Sequence, residues 1–271
     1  MQYKKAFLWM ILNLAAMTGS AHADQLRVLA AGSLREVIGE IGRRYQMQTG
    51  IQVRADFGPS GVLHERIANG EKADLFASAD MGHPLKLAAD GLAMRVDMFT
   101  RNALCAFARP QVGLTLANFL DRLLDPGVRL GTSTPKADPA GDYTWLLFRR
   151  ADGVRPGAFS ILDQKAQKIV GGAPQNNTPV KDPVVEALTV GRVDVMIGYC
   201  SGRQHMLQQL PDLSVVQVPK EIAAEPEYGL AILKGASPHA DDLALYILAP
   251  EGQQLFLQFG FTPVGLPKGE P

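Results

Sequence analysis

The stretch LRVLAAGSLREVIGEIGRRYQMQTGIQVRADFGPSGVLHERIANGEKADLFA, residues 26–77, holds three short apolar runs separated by two helical patterns. Leu26 to Ala31 (LRVLAA) reads as a buried strand. After Gly32-Ser33, the residues Leu34, Val37, Ile38, Ile41 and Tyr45 recur at the 3.6-residue spacing of one helix face. Ser33 with Glu36 three residues on has the form of a capping box, which predicts Ser33 at the N-cap. Gly50 closes this helix, and Ile51 to Phe57 alternates as a second strand. Gly58-Pro59-Ser60-Gly61 is a turn, and Ser60 opens a second helix over Val62 to Asn69. Ala73 to Ala77 (ADLFA) is a third strand. The order β-α-β-α-β predicts a parallel sheet with helices on its faces.

The same alternation continues downstream with different residues. Ala103 to Ala108 reads as a strand, Leu116 to Leu124 as a helix and Val128 to Gly131 as a strand. The turn Pro135 to Gly141 precedes a helix around Tyr143 to Arg150. Asp182-Pro183 opens a helix through Val190, with Asp as cap and Pro at the first helical position. Val193 to Tyr199, Leu213 to Val218 and Tyr228 to Leu233 read as strands, and Asp241 to Leu248 and Glu251 to Phe259 as closing helices. No repeat or low-complexity linker divides the chain. Two α/β lobes joined by more than one chain crossing fit this pattern.

The 271 residues are 46% hydrophobic and 20% charged, with 27 basic and 27 acidic side chains. This is a globular composition, and its neutrality argues against a nucleic-acid partner, which would call for a basic surface. At the start, Lys4 and Lys5 precede the apolar run Ala6 to Ala16, and Ala21-His22-Ala23 places small residues where a signal peptidase reads. The run is too short for the ~20 residues of a membrane span. Residues 1–23 therefore read as a secretory leader cleaved after Ala23, leaving a formal charge of −2. Two cysteines, Cys105 and Cys200, remain in an oxidising compartment. Either a disulfide or two buried thiols is compatible with the sequence, since it does not supply their separation.

Enzyme motifs are thin. There is no phosphate loop, no H-E-x-x-H and no G-x-S-x-G elbow. Ser60 and His64 stand four apart on one helix, which leaves a secreted serine hydrolase as a remote alternative. No third carboxylate to orient them is evident. His64, His83, His205 and His239 with the two cysteines lack the spacing of a metal site, so no direct protein ligand to metal is expected. What stands out is a set of turns placing small residues at helix N-termini: Gly32-Ser33, Pro59-Ser60-Gly61, Pro139-Ala140-Gly141 and Pro183-Val184. Free N–H groups and the helix dipole favour an anion there, by about 0.3–1 kcal/mol at each terminus. Each alone is equally a plain helix cap.

These residues, taken in order, resemble a known family. The pieces Val28-Leu29-Ala30-Ala31-Gly32-Ser33-Leu34, Phe57-Gly58-Pro59-Ser60-Gly61, Ala73-Asp74-Leu75-Phe76-Ala77-Ser78-Ala79-Asp80 and Asp138-Pro139-Ala140-Gly141-Asp142-Tyr143 look like those of periplasmic molybdate-binding proteins of ABC importers. Val193 to Tyr199 and Gly260-Phe261-Thr262 agree, so the resemblance covers essentially the whole secreted chain. It implies a two-lobed α/β binding protein, each lobe a mostly parallel sheet flanked by helices, with the ligand cleft between lobes. Lobe 1 would be residues 24–104 plus 228–271, and lobe 2 residues 105–227. It further implies a small tetrahedral oxyanion, molybdate or tungstate, carried to a membrane permease by a periplasmic monomer with no cofactor and no catalysis. Carried over by motif, Ser33 and Ser60 would donate from lobe 1, Ala140 and Val184 would offer backbone N–H groups from lobe 2, and Tyr199 its phenol. Another small anionic or polar ligand on the same fold is the alternative. Several features depart from the family pattern: Gly58-Pro59 before Ser60, the polar stretches Thr132 to Lys136 and Pro174 to Asn177, and the cysteines near the expected lobe crossover.

Overall fold

The computed structural model describes residues 25–171 and 182–266. The leader, its cleavage after Ala23 and the stretch Pro174 to Asn177 lie outside the described residues. In chain order the elements begin with β1 (Gln25–Ala31), α1 (Arg35–Thr49), β2 (Gln52–Gly58), α2 (Ser60–Ala68), β3 (Leu75–Ser78), α3 (Gly82–Ala89) and β4 (Ala93–Arg101). Then come β5 (Leu104–Ala108), α4 (Phe119–Leu124), β6 (Leu130–Ser133), α5 (Pro139–Val154), α6 (Ala158–Lys165) and β7 (Gln167–Val170). The chain continues through α7 (Pro183–Thr189), β8 (Val195–Tyr199), α8 (Arg203–Gln209) and β9 (Ser214–Gln217). It closes with β10 (Glu227–Leu233), α9 (His239–Leu248), α10 (Pro250–Gln258) and β11 (Thr262–Pro263).

Two sheets organise the fold, one in each lobe. The first has the order β11-β4-β10-β3-β1-β2, and the second β7-β6-β8-β5-β9. The expectation of mostly parallel sheets is corrected here, because both sheets are mixed. In the first, β1 pairs in parallel with β2 and β3, as alternation with α1 and α2 requires, whereas β10 enters antiparallel between β3 and β4. In the second, β6 is parallel to β7 and β8, and β5 runs antiparallel to β8 and β9. The antiparallel members flank the crossings, where the chain enters each sheet without an intervening helix to return it to the same edge.

The crossings are short and tied together. Asn102-Ala103 is all that separates β4 in one sheet from β5 in the other. The return path reaches β10 beside it, and the Asn102 N–H donates to the Pro226 carbonyl at 3.0 Å. Between the sheet and its closing helices, Phe99, Tyr228, Phe256 and Phe261 meet edge to face, with successive ring centroids 5.4–6.2 Å apart. Such geometry sets the positive ring edge against the negative face of its neighbour. Among the described residues no helix is long and apolar enough to cross a membrane.

Local structure departs from the sequence reading at instructive places. Ser33 is not an N-cap: it lies within a 3-10 turn, Gly32–Leu34, whose preceding residue is Ala31. Its hydroxyl is drawn instead to Tyr228, 195 residues away. Ser60 is the first helical residue of α2, after Pro59. Asp182 does cap α7, its side chain accepting from the N–H groups of Val184 and Val185 with Pro183 in the first turn. The helices α3, α6 and α8 and the strands β4 and β7 had no counterpart in the pattern reading, although in β4 Met94, Val96 and Met98 alternate with Arg95 and Asp97.

Candidate functional site

The N-terminus of α2 in the first lobe meets the entry to α5 in the second. The Gly61 N–H donates across the gap to the Ala137 carbonyl at 3.1 Å. A methyl group at Gly61 would collide with the carbonyl oxygens of Lys136 and Ala137, the latter at 2.9 Å, so this approach needs glycine. On the other side of the contact, a Cβ at Gly141 would lie 2.8 Å from the Ser133 carbonyl. The 133–135 backbone therefore lies directly on the first turn of α5. Two helix N-termini, each with the positive end of its dipole, thus converge from opposite lobes.

The hydroxyl groups form a chain behind this contact. Ser60 is fully buried, and its Oγ accepts from the Ala79 N–H at 3.1 Å. The Ala79 carbonyl in turn accepts from the Tyr199 hydroxyl at 3.4 Å, from the end of β8 in the other lobe. Tyr199 stacks edge-on against Tyr228, with ring centroids 5.5 Å apart. The Tyr228 hydroxyl lies 3.0 Å from Ser33 Oγ and receives a hydrogen bond from Asn102 Nδ2 at 3.2 Å. Asn102 Nδ2 also donates to Ser201 Oγ at 2.9 Å. The crossing segment is therefore tied into this hydrogen-bonded network. A Cβ at Gly229 would come within 3.1 Å of the Asp80 carbonyl, so glycine at this position lets β10 lie against the turn after β3.

Electrostatics sharpen the picture. Burial raises the Tyr199 phenol well above its ordinary range, with the neighbouring Tyr228, Asp138, Tyr143 and Asp80 adding to the effect. Burial likewise raises Tyr228, and it pushes Tyr143 up to about 12. These phenols remain protonated and able to donate near neutral pH. Burial also raises Asp138, against hydrogen bonds from the Ala140 N–H and the Ser133 side chain, and it raises Asp142. Burial alone would lift Asp80 too. The hydrogen bond and charge of His83, with the Ser78 hydroxyl, outweigh it and leave Asp80 below the usual carboxylate range.

Four of the five residues carried over by motif belong to this constellation. Ser33 enters through Tyr228, Ser60 and Tyr199 through Ala79, and Ala140 through the first turn of α5. The Ala140 N–H is engaged by the Asp138 side chain at 3.1 Å. The Val184 N–H donates at 3.0 Å to Asp182, which also holds His205 at 2.8 Å. The Val184 side chain packs against a separate cluster around Cys105, Phe107 and Met206. Both second-lobe N–H donors therefore already have carboxylate partners from their own helix caps. Ser60 and His64 do not form a nucleophile–base pair. The serine faces Ala79, while His64 turns to His83 at 5.3 Å and leaves its own Nδ1 buried without a hydrogen-bond partner.

Pattern reading missed Asn102, Tyr228, Asp80 and Asp138. Asp138 was within reach, because Asp138-Pro139 repeats the Asp-Pro cap signal of Asp182-Pro183. Tyr228 and Asn102 had no local signal, since their roles arise from pairing across more than a hundred residues. The two cysteines are joined in a disulfide with Cα atoms 4.9 Å apart. It links β5 to the residue that follows Tyr199.

Comparison with known proteins bears on the fold and the family. The chain is 38% identical over 241 residues to the uncharacterized protein PM1146 of Pasteurella multocida, covering 88% of this chain and 98% of that one. It is 26% identical to the molybdate-binding protein ModA of Escherichia coli, covering 91% and 93%. Among solved structures, the sulfate-binding protein SubI of Mycobacterium tuberculosis superposes with a TM-score of 0.74 at 18% identity, covering 89% of this chain and 87% of that one. At that identity the likeness bears on the fold alone, which is that of two-lobed periplasmic binding proteins. The family profile that matches residues 26–262 is that of bacterial extracellular solute-binding proteins, and the chain belongs to that family.

Proposed function

We propose that this protein is the periplasmic capture component of an ABC importer and that it binds a small tetrahedral oxyanion, molybdate first and tungstate with it. In this reading it delivers the anion to a membrane permease and performs no chemistry. The lobes, residues 24–104 plus 228–271 and residues 105–227, would close on the ligand through the crossings at Asn102-Ala103 and before β10. Ser33, Ser60 and Tyr199 would supply hydroxyl donors, and Ala140 and Val184 would add theirs by turning their N–H groups from the Asp138 and Asp182 caps to the anion. The observation that carries the reading is the meeting of two helix N-termini from opposite lobes at the Gly61–Ala137 hydrogen bond, backed by the Ser60–Ala79–Tyr199 chain. No lysine or arginine side chain is among the residues of that chain, so the anion would be held by neutral dipoles. Relatedness to ModA over most of both chains supports molybdate as the first ligand to test.

The magnitudes are adequate. A micromolar site needs about 8 kcal/mol. Hydrogen bonds to a charged group contribute roughly 1.5–3 kcal/mol each, so five donors reach that figure after ordering costs. Titration calorimetry with molybdate, tungstate, sulfate and phosphate tests the reading. One-to-one binding of the first two, at least tenfold tighter than sulfate, is the expected result. Absence of binding by all four anions would remove the oxyanion assignment and leave another small polar ligand on this fold.

A further inference from the structure

An N–H group that is to hold an anion must point at it, yet the Ala140 N–H points at the Asp138 carboxylate, 3.1 Å away. Asp138 caps α5 with its side chain, next to the contact between lobes, and follows Ala137, the acceptor of the Gly61 N–H. The carboxylate therefore stands where the proposed site would receive negative charge. A dianion brought beside it would face a like charge in a poorly solvated space. The surroundings offer little compensation. Asp142 lies on the same helix and Asp80 follows β3. Tyr143 on α5, Tyr199 on β8 and Tyr228 on β10 are neutral, and the Ser133 hydroxyl is the uncharged donor from β6. The nearby cation, His83 on α3, whose protonated form Asp80 favours against burial, is already paired with that carboxylate at 2.7 Å. Gly171, after β7, closes the remaining side, where a Cβ would sit 3.2 Å from that of Asp138.

We propose that Asp138 makes this a proton-coupled anion site, in which the bound oxyanion and the Asp138 carboxyl share one proton. Resting on the oxyanion reading above, the proposal adds a specificity rule. A fully ionised anion such as molybdate or sulfate must take up a proton from solvent as it binds. That proton ends between a carboxyl oxygen and a ligand oxygen, and no other bond is made or broken. An anion that already carries a proton, of the hydrogen phosphate class, brings it along and escapes this cost. Two like charges at close range cannot both stay ionised, which is the physical basis of the coupling. Burial already biases Asp138 towards its neutral form.

The test is calorimetry with molybdate between about pH 6.5 and 8.5, in two buffers of different ionisation enthalpy, on the wild type and on Asp138→Asn. Asparagine is as good an N-cap as aspartate, so α5 should keep its start, and circular dichroism melting checks that. Wild-type affinity should fall about tenfold per pH unit, with uptake of one proton read from the buffer dependence. Asp138→Asn should flatten the profile, abolish proton uptake and bind molybdate at least tenfold more tightly at the alkaline end. A pH-independent wild type, or a variant that keeps the wild-type slope, overturns the proposal while leaving oxyanion binding intact. A variant that no longer binds while the wild type does overturns the proposal alone, whereas no binding of molybdate, sulfate or phosphate by both proteins at any pH removes the oxyanion reading and the proposal together.

Discussion

Tyr199 joins the two lobes at the level of a single hydroxyl. Its ring is buried against Tyr228, and its proton reaches the Ala79 carbonyl of the other lobe at 3.4 Å. Removing only that hydroxyl leaves the ring packing in place. Tyr199→Phe is therefore expected to cost about 0.5–1.5 kcal/mol in folding stability, the net worth of a neutral hydrogen bond. If the same proton serves the anion, the loss in affinity is larger, roughly tenfold to a hundredfold, as for a hydrogen bond to charge. Denaturant midpoints and calorimetry on the same preparation separate the two effects. Equal affinity in both proteins would remove Tyr199 from the binding set.

At the scale of elements, a second carboxylate has a purely structural task. Asp194 sits just before β8 and receives the Arg129 backbone N–H at 3.0 Å, with the Arg129 guanidinium at 2.7 and 2.8 Å. Arg109, following β5, adds a contact at 3.3 Å. One side chain thus fastens the ends of three neighbouring strands. The hydrogen bond from Arg129 holds the Asp194 carboxyl below the usual range, against some burial. A depressed folded-state pKa means the stabilisation is complete above the unfolded value, about 4, and fades as pH falls through the folded value. Asp194→Asn should therefore lower unfolding free energy by about 1–2 kcal/mol at neutral pH, the Arg129 side chain being half exposed to solvent. The gap between the proteins should narrow steadily below pH ~4. Urea titrations along a pH series check this, and a gap that widens on acidification would contradict it.

For the whole molecule, the relation of the lobes depends on contacts that a methyl group can disturb. Gly61 has no positive φ, so alanine there is conformationally acceptable within α2, and helix propensity favours it by about 1 kcal/mol. Its Cβ would nonetheless meet two backbone carbonyls of the opposite lobe. Gly61→Ala is expected to leave the melting temperature near the wild-type value, to enlarge the radius of gyration seen by small-angle scattering, and to weaken anion binding at least tenfold. An unchanged radius would show that the 136–137 loop yields instead. The disulfide acts on the unfolded chain: Cys105 and Cys200 lie 95 residues apart. In the chain-entropy model, closing so long a loop stabilises by up to about 4–5 kcal/mol. Replacing both cysteines with alanine should lower the urea midpoint accordingly and make it insensitive to reductant.

What residues 26–77 determine by themselves is the local alternation of strands and helices, because burial periodicity and caps act over a few residues. The Asp182-Pro183 cap of α7 and the small residues opening α2 and α5 were legible for the same reason. The tertiary structure decided the rest. The sequence pattern has no means of stating that β10 enters antiparallel between β3 and β4, and that entry places Tyr228 against Ser33. It also draws Ser33, half-buried, away from the helix cap its spacing suggested and onto the Tyr228 hydroxyl at 3.0 Å. Asp138 shows the division most clearly. Its Asp-Pro context marks it as a cap, a property of four consecutive residues. That the cap stands beside the meeting point of two lobes, among Asp80, Tyr199 and Tyr228, follows from contacts between segments far apart in the chain, which only the folded chain brings together.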